Sequence, residues 1–201
     1  MPNWCMTRYE VIDTKKSLDN LEKKLHEALS DNPLKADFGN GWLGNLMLFI
    51  GVSEDTVVHG TANCRGELYD IERTSDYFLS FWVESAWSPA NECVSTFVKT
   101  FAPNASILYV AEESGCELYW TNDPDVLGTV HIDRWEDGEG TIPEHLRFLF
   151  EGENEVSQDE LFKNLAPIYG CLPLDALIAR AEADVKEPSY LYMNTYDFHE
   201  L

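Results

Sequence analysis

Carboxylates at calcium-loop spacing are the most chemically suggestive residues of this chain: Asp133, Asp137, Glu139 and Glu144 fall at loop positions 1, 5, 7 and 12, with Gly138 at position 6. Hard oxygen ligands around a sharply turning glycine are what a calcium loop needs. Trp135 stands at position 3, where an oxygen belongs, and Gly140 takes the usual apolar position 8. The segment therefore reads as a solvated acidic loop, and no metal or other cofactor is expected. His131 and Asp133, two apart, share one face of a strand and form half of an acid/base pair or metal site, with no second histidine at ligand spacing. His26, His59, His145 and His199 are isolated, and Cys64 follows His59 at a separation that matches no nucleophile geometry. The loop 39–45 is rich in Gly and Asn but lacks any phosphate-cradling motif.

The elements that must position these residues are clearest between Tyr77 and Trp120. Leu79, Phe81 and Val83 alternate with Ser80, Trp82 and Glu84, which predicts a strand with one buried face. Ser88 and Pro89 predict a helix start by capping and by pre-set φ, and Val94, Phe97, Val98 and Phe101 supply its apolar stripe. Residues 106–120 predict two strands hinged at Glu113-Ser114-Gly115, with Gly115 taking a positive φ. Upstream, Thr7–Ile12 predicts a first strand, and Ser17 a cap for a helix carrying Leu18, Leu21, Leu25 and Leu29. Leu46–Val52 is a strand or a short buried helix within an insertion, and Gly66–Thr74 forms a hairpin with the strand that follows. The resulting order, β-α-(insert)-β-β-α-β-β, predicts an α+β fold with a ferredoxin-like antiparallel sheet and two helices on one face. Trp4, Trp82, Trp87 and Trp120 are expected to fill the core. The functional alternative is a cleft in which Trp87 is an aromatic wall and Glu113 a charged group.

The opening Met1-Pro2-Asn3-Trp4-Cys5, the strand leading into Trp87-Ser88-Pro89, and Tyr109 with Glu113-Ser114-Gly115 resemble the YubB-like family of plasmid- and phage-borne bacterial proteins. The resemblance spans residues 1–125 and implies a ferredoxin-like domain and an accessory-genome setting, with no reaction attached. Ala90 departs from the second proline common in that family, and Trp120 from the glycine that often follows the turn.

Composition separates the chain into 1–134, the sheet domain with an insertion at 37–64, and 135–201, an acidic and largely helical extension. Ser157 and Glu160 form a capping box, Pro167 and Gly170 end that helix, and Leu174, Leu177, Ile178, Ala181 and Val185 outline another. The aromatic tail, Tyr190, Tyr192, Tyr196 and Phe198, is expected to lie on the protein body. Net charge is −22, with 15 acids and 9 bases in residues 1–100 against 21 and 5 in residues 101–201. Such a field repels phosphates and favours basic partners. Five scattered cysteines and no apolar run of membrane length predict reduced thiols in a soluble, cytoplasmic protein. The reading is a non-enzymatic binding protein acting on a basic protein partner, as a nucleic-acid mimic or an inhibitor, without binding nucleic acid or membrane. Its binding residues are Trp87, Glu113, Glu136, Asp137, Glu139, Glu151, Glu153 and Glu155. The alternatives are an enzyme with a cleft near Trp87, Glu113, His131 and Asp133, and an oligomeric scaffold.

Overall fold

Alternation across the extended chain builds the first sheet of the computed structural model, which describes residues 3–30, 38–59, 64–138 and 140–201. Strand β1 (Trp4–Ile12) buries Cys5, Thr7, Tyr9 and Val11 and exposes Trp4 and Arg8. The two strands that flank it alternate likewise: β3 (Phe78–Ala86) buries Leu79, Phe81 and Val83, and β4 (Ser106–Glu113) buries Ile107, Tyr109, Ala111 and Glu113. Tyr9 stands opposite both Phe81 and Tyr109, so the three buried sets share one face. Its ring centroid lies 5.5 Å from Phe81 and 6.1 Å from Tyr109. With β2 (Gly66–Arg73) beside β3 and β5 (Leu118–Thr121) beside β4, the order is β2-β3-β1-β4-β5, antiparallel throughout. A bulge between Tyr69 and Glu72 puts Asp70 in the left-handed region, at φ 51°.

Helices cover the buried face. In α1 (Lys15–Ala28), α2 (Leu43–Phe49), α3 (Glu54–His59) and α4 (Asn91–Phe101), one stripe each packs into a core shared with the sheet. Leu18, Leu21 and Leu25 come from α1, and Val94, Phe97 and Val98 from α4. The ambiguous stretch from Leu46 is thus helical in its first half. Part of the insertion, 60–63 and the start at 37, lies outside the described residues.

Local chemistry departs from the expected caps. Thr14, not Ser17, caps α1, accepting from the Ser17 N–H at 3.4 Å, while the Ser17 hydroxyl donates to Asp13. Helix α4 starts at Asn91, and Ala90 before it supplies no side-chain cap. Ser88 lies two residues before that cap position, in a turn where its carbonyl accepts from the Ser85 hydroxyl at 2.8 Å and Trp87 stands at φ 72°. After β4, Ser114–Cys116 forms a 3-10 turn, and the left-handed residue is Glu117 at φ 53°, not Gly115.

A second compact unit spans Pro124–Phe198. Its sheet centres on β6 (Thr129–Trp135), flanked antiparallel by β7 (Glu155–Ser157) and β8 (Tyr190–Thr195). Helices α5 (Arg147–Glu151), α6 (Gln158–Tyr169) and α7 (Leu174–Asp184) enclose a core of Val130, Ile132, Leu149, Leu161, Leu177 and Met193. The division therefore falls after Asp123 rather than after Arg134, because Val130 and Ile132 belong to this core. The Ser157 hydroxyl accepts from the Glu160 N–H at 3.2 Å as the capping pattern requires, and Gly170 at φ 88° ends α6 beyond Pro167. In β8 the apolar Leu191 and Met193 turn inward, which sends Tyr190 and Tyr192 outward; Tyr196 is buried and Phe198 exposed. His199–Leu201 belong to the first unit, where the His199 N–H donates to the Thr121 carbonyl and its ring stacks on Trp120 at 4.1 Å. Among the described residues no helix is long and apolar enough to cross a membrane.

Candidate functional site

Both Trp87 and Glu113 stand where strands of the first sheet end, and Asn3 connects their surroundings. The Trp87 N–H donates to the Asn3 carbonyl at 2.9 Å, and the Asn3 side-chain amide donates to the Cys116 sulfur at 3.5 Å. The Gly115 N–H donates to Glu113 Oε1 at 2.9 Å. Gly115 is needed here for space: a Cβ would lie 2.6 Å from Asn3 Nδ2. Glu113 is 5% exposed, and its Oε2 has no hydrogen-bond partner. A buried carboxylate oxygen without a donor is costly, so this end of the sheet has an unused acceptor. Two thiols flank it in their protonated form. Burial pushes Cys5 up to about 11, against a hydrogen bond with Thr7, and the Glu113 carboxylate raises Cys116. Trp87 is 51% exposed and holds a positive φ that costs a non-glycine residue about 1 kcal/mol.

The expectation of a tryptophan core fails for Trp4, Trp82 and Trp87, all exposed by more than a third. Strand alternation gives the reason: Trp4 and Trp82 occupy positions on the sheet face opposite the helices. The buried indole is Trp42, which stacks on Phe38 with ring centroids 4.4 Å apart. These two rings and Trp4 line a cavity of about 500 Å³ together with Val57, Val58, Cys64, Arg65, Gly66 and Glu67. Nothing in the spacing of Trp4, Trp42 and Cys64 announces that cavity, since three separate elements bring them together.

In the second unit, the described acids of the candidate loop lie in separate elements. Asp133 lies in the β6 ladder opposite Tyr192, and Glu144 opens a 3-10 turn at Glu144–Leu146. The Asp137 backbone is held by the Ser189 hydroxyl, and Thr141 donates to the Gly138 carbonyl at 2.9 Å. Glu136 pairs with Arg147 at 2.7 Å, Glu151 is exposed, and Glu139 lies outside the described residues. Among the described residues no group of three or more His, Cys, Asp or Glu is arranged to hold a metal ion. His131 and Asp133 do share the outer face of β6, with Glu155 and Asn194 opposite His131. Trp135, Tyr190 and Tyr192 are exposed on that face.

Glu153, Glu155 and Glu160 line a smaller cavity of about 200 Å³ together with Ile132, Phe148, Leu149 and Val156, and Glu155 Oε1 accepts from the Tyr196 hydroxyl at 3.3 Å. Arg134 donates to the Gly152 and Glu153 carbonyls at 2.6 and 2.9 Å, fixing the backbone of that lining. Acidic and apolar residues around one cavity suit an alkyl stem that ends in a cation. His145, isolated in sequence, also has partners: its Nε2 lies 2.6 Å from the Tyr169 hydroxyl, which donates to Asp184 at 2.8 Å. Burial and the Asp184 carboxylate push the Tyr169 phenol well up. This chain ties the ends of α6 and α7 to the turn at His145, and only the folded helix ends bring its members into reach. Family models, curated proteins and solved structures all yield no match to the chain.

Proposed function

We propose that the chain is a non-enzymatic, accessory-genome binding protein that engages a basic protein partner in the cytoplasm, as a nucleic-acid mimic or an inhibitor. The observation that carries this reading is the cavity lined by Glu153, Glu155 and Glu160 together with Ile132, Phe148, Leu149 and Val156. A Lys or Arg side chain of the partner places its methylenes against the apolar residues of that lining and its charge near the acidic ones. The surrounding unit adds a long-range field, with sixteen acidic and five basic residues in 124–198. The sheet order β2-β3-β1-β4, with α1 and α4 packed on one face, supports a ferredoxin-like reading of the first unit, and its kinship with the YubB-like family rests on the motifs Trp87-Ser88-Pro89 and Glu113-Ser114-Gly115.

The test is retention of a panel of basic proteins, nucleases and toxins among them, on the immobilised chain. The expected result is retention that declines from low to high salt and is lost in Glu153→Lys/Glu155→Lys/Glu160→Lys. Reversals at Glu54, Asp55 and Asp76 in the first unit leave it largely intact. Equal retention by both triple variants would remove the cavity from the interface.

A second reading, an enzyme working at the sheet end near Trp87 and Glu113, draws on the exposed indole and the unpartnered Glu113 Oε2. A substrate turned over by the purified chain and lost in Glu113→Gln at unchanged melting temperature selects this reading instead.

A further inference from the structure

Cys64, just before β2, and Cys93, in the first turn of α4, place their sulfurs 4.0 Å apart. Both residues are buried, yet Cys64 also forms part of the wall of the cavity of about 500 Å³. In the resting state the Cys64 thiol donates to the Cys93 sulfur, and the Cys93 thiol donates to the Leu43 carbonyl at 3.7 Å. A disulfide needs sulfurs about 2.05 Å apart, so rotation of two short side chains has about 2 Å to close. A Cys64 thiolate can accept from the Cys93 thiol across the same 4.0 Å. That hydrogen bond draws Cys64 below its ordinary value, against burial and the Glu92 charge, and the same bond together with burial pushes Cys93 well up. The pair is thus unequal: one thiol faces the cavity and ionises first, and the other waits behind it.

The cavity walls describe what reaches Cys64. Trp4, Phe38 and Trp42 supply apolar surface, while Arg65 and Glu67 supply one charge of each sign. A small zwitterionic peptide matches this lining: its carboxylate meets Arg65, its ammonium meets Glu67, and its stem lies on the rings.

We propose that Cys64 and Cys93 form a thiol–disulfide exchange site for a small zwitterionic peptide disulfide of the glutathione kind. The Cys64 thiolate attacks one sulfur of the peptide disulfide, forming a mixed disulfide and expelling the first peptide thiolate, which takes up the proton Cys64 gave to solvent. Cys93 then loses its proton and attacks the Cys64 sulfur, forming the Cys64–Cys93 bond and expelling the second peptide as a thiol. The protein dithiol is oxidised by two electrons, and the peptide disulfide is reduced to two thiols.

The experiment incubates the full chain with glutathione disulfide, quenches with acid, alkylates the remaining thiols and maps the peptides by mass spectrometry. Expected is a Cys64–Cys93 cross-linked peptide in the wild-type chain and one glutathione trapped on Cys64 in Cys93→Ser. A wild-type chain in which only Cys116 and Cys171 carry glutathione, while Cys64 and Cys93 are recovered as free thiols, overturns the site; this readout needs no variant to fold. The ligand class is tested with Arg65→Ala and with uncharged 2-hydroxyethyl disulfide. Arg65→Ala is expected to slow cross-linking by glutathione disulfide about tenfold while leaving the reaction with the uncharged disulfide unchanged. Equal slowing with both reagents, or none with either, overturns the zwitterionic assignment.

Discussion

Gly66 and Glu84 pack backbone against backbone where β2 meets β3: a Cβ on Gly66 would overlap the Glu84 carbonyl oxygen and come within 2.8 Å of the Ser85 Cα. Backbone cannot swing aside as a side-chain end can. Gly66→Ala is therefore expected to cost about 2–3 kcal/mol by overpacking. Urea denaturation checks this, and a midpoint equal to wild type would show that the β2–β3 crossing has slack.

Tyr9 is fully buried between Phe81 and Tyr109, and its hydroxyl donates to Asn91 Oδ1 at 2.8 Å. Tyr9→Phe removes one hydrogen bond and is expected to cost about 1 kcal/mol. Tyr9→Ala also opens a cavity and is expected to cost about 3–5 kcal/mol. Paired denaturation curves separate the two contributions.

Trp87 holds a left-handed backbone while half its side chain meets solvent. Trp87→Gly relieves the strain and loses little burial, so a gain of about 0.5 kcal/mol is expected after the entropic cost of glycine. A clear fall in melting temperature would instead reveal packing by the indole that outweighs the backbone.

Burial raises the Glu182 carboxyl, while the Met193 N–H that donates to its Oε1 at 2.7 Å opposes the shift. The fold binds this proton more tightly than the unfolded chain does. The stabilisation is accordingly complete below the unfolded carboxyl value and disappears as pH rises through the raised folded value. Glu182→Gln keeps an acceptor for Met193 and has no charge to bury. It is expected to flatten the stability-against-pH curve of the second unit over that window, by about 0.5 kcal/mol once solvent screening is allowed for. Thermal melts across mildly acidic pH check the slope.

Cys116 and Cys171 are exposed, whereas Cys5 is buried and pushed up to about 11. Iodoacetamide at pH 8 is expected to label Cys116 and Cys171 in the native chain and to reach Cys5 only after unfolding, because the thiolate is the reactive form. Peptide mapping over a time course gives the order.

Much of the architecture was legible in the chain because it rests on short-range periodicity. The alternation through Leu79, Phe81 and Val83, the stripe Val94, Phe97 and Val98, and the Ser157 cap all depend on neighbours a few residues apart. Helix starts were less so: the Ser17 hydroxyl bonds to Asp13 while Thr14 caps α1, and the turn through Trp87 delays α4 to Asn91, beyond the reach of a Ser88 cap. The boundary moved to Asp123 because Val130 and Ile132 could join either core by composition, and only packing against Leu149 and Leu177 decided which.

By itself the sequence determined the α+β class, the antiparallel hairpins and the acidic field, since these follow from local pattern and from charge that no folding removes. Tertiary structure alone decided which acids share a cavity, that Trp42 rather than Trp87 is buried, and that Cys64 meets Cys93. Those relationships join residues distant in the chain, and they exist only once the strand register and the helix docking have set the distance between them.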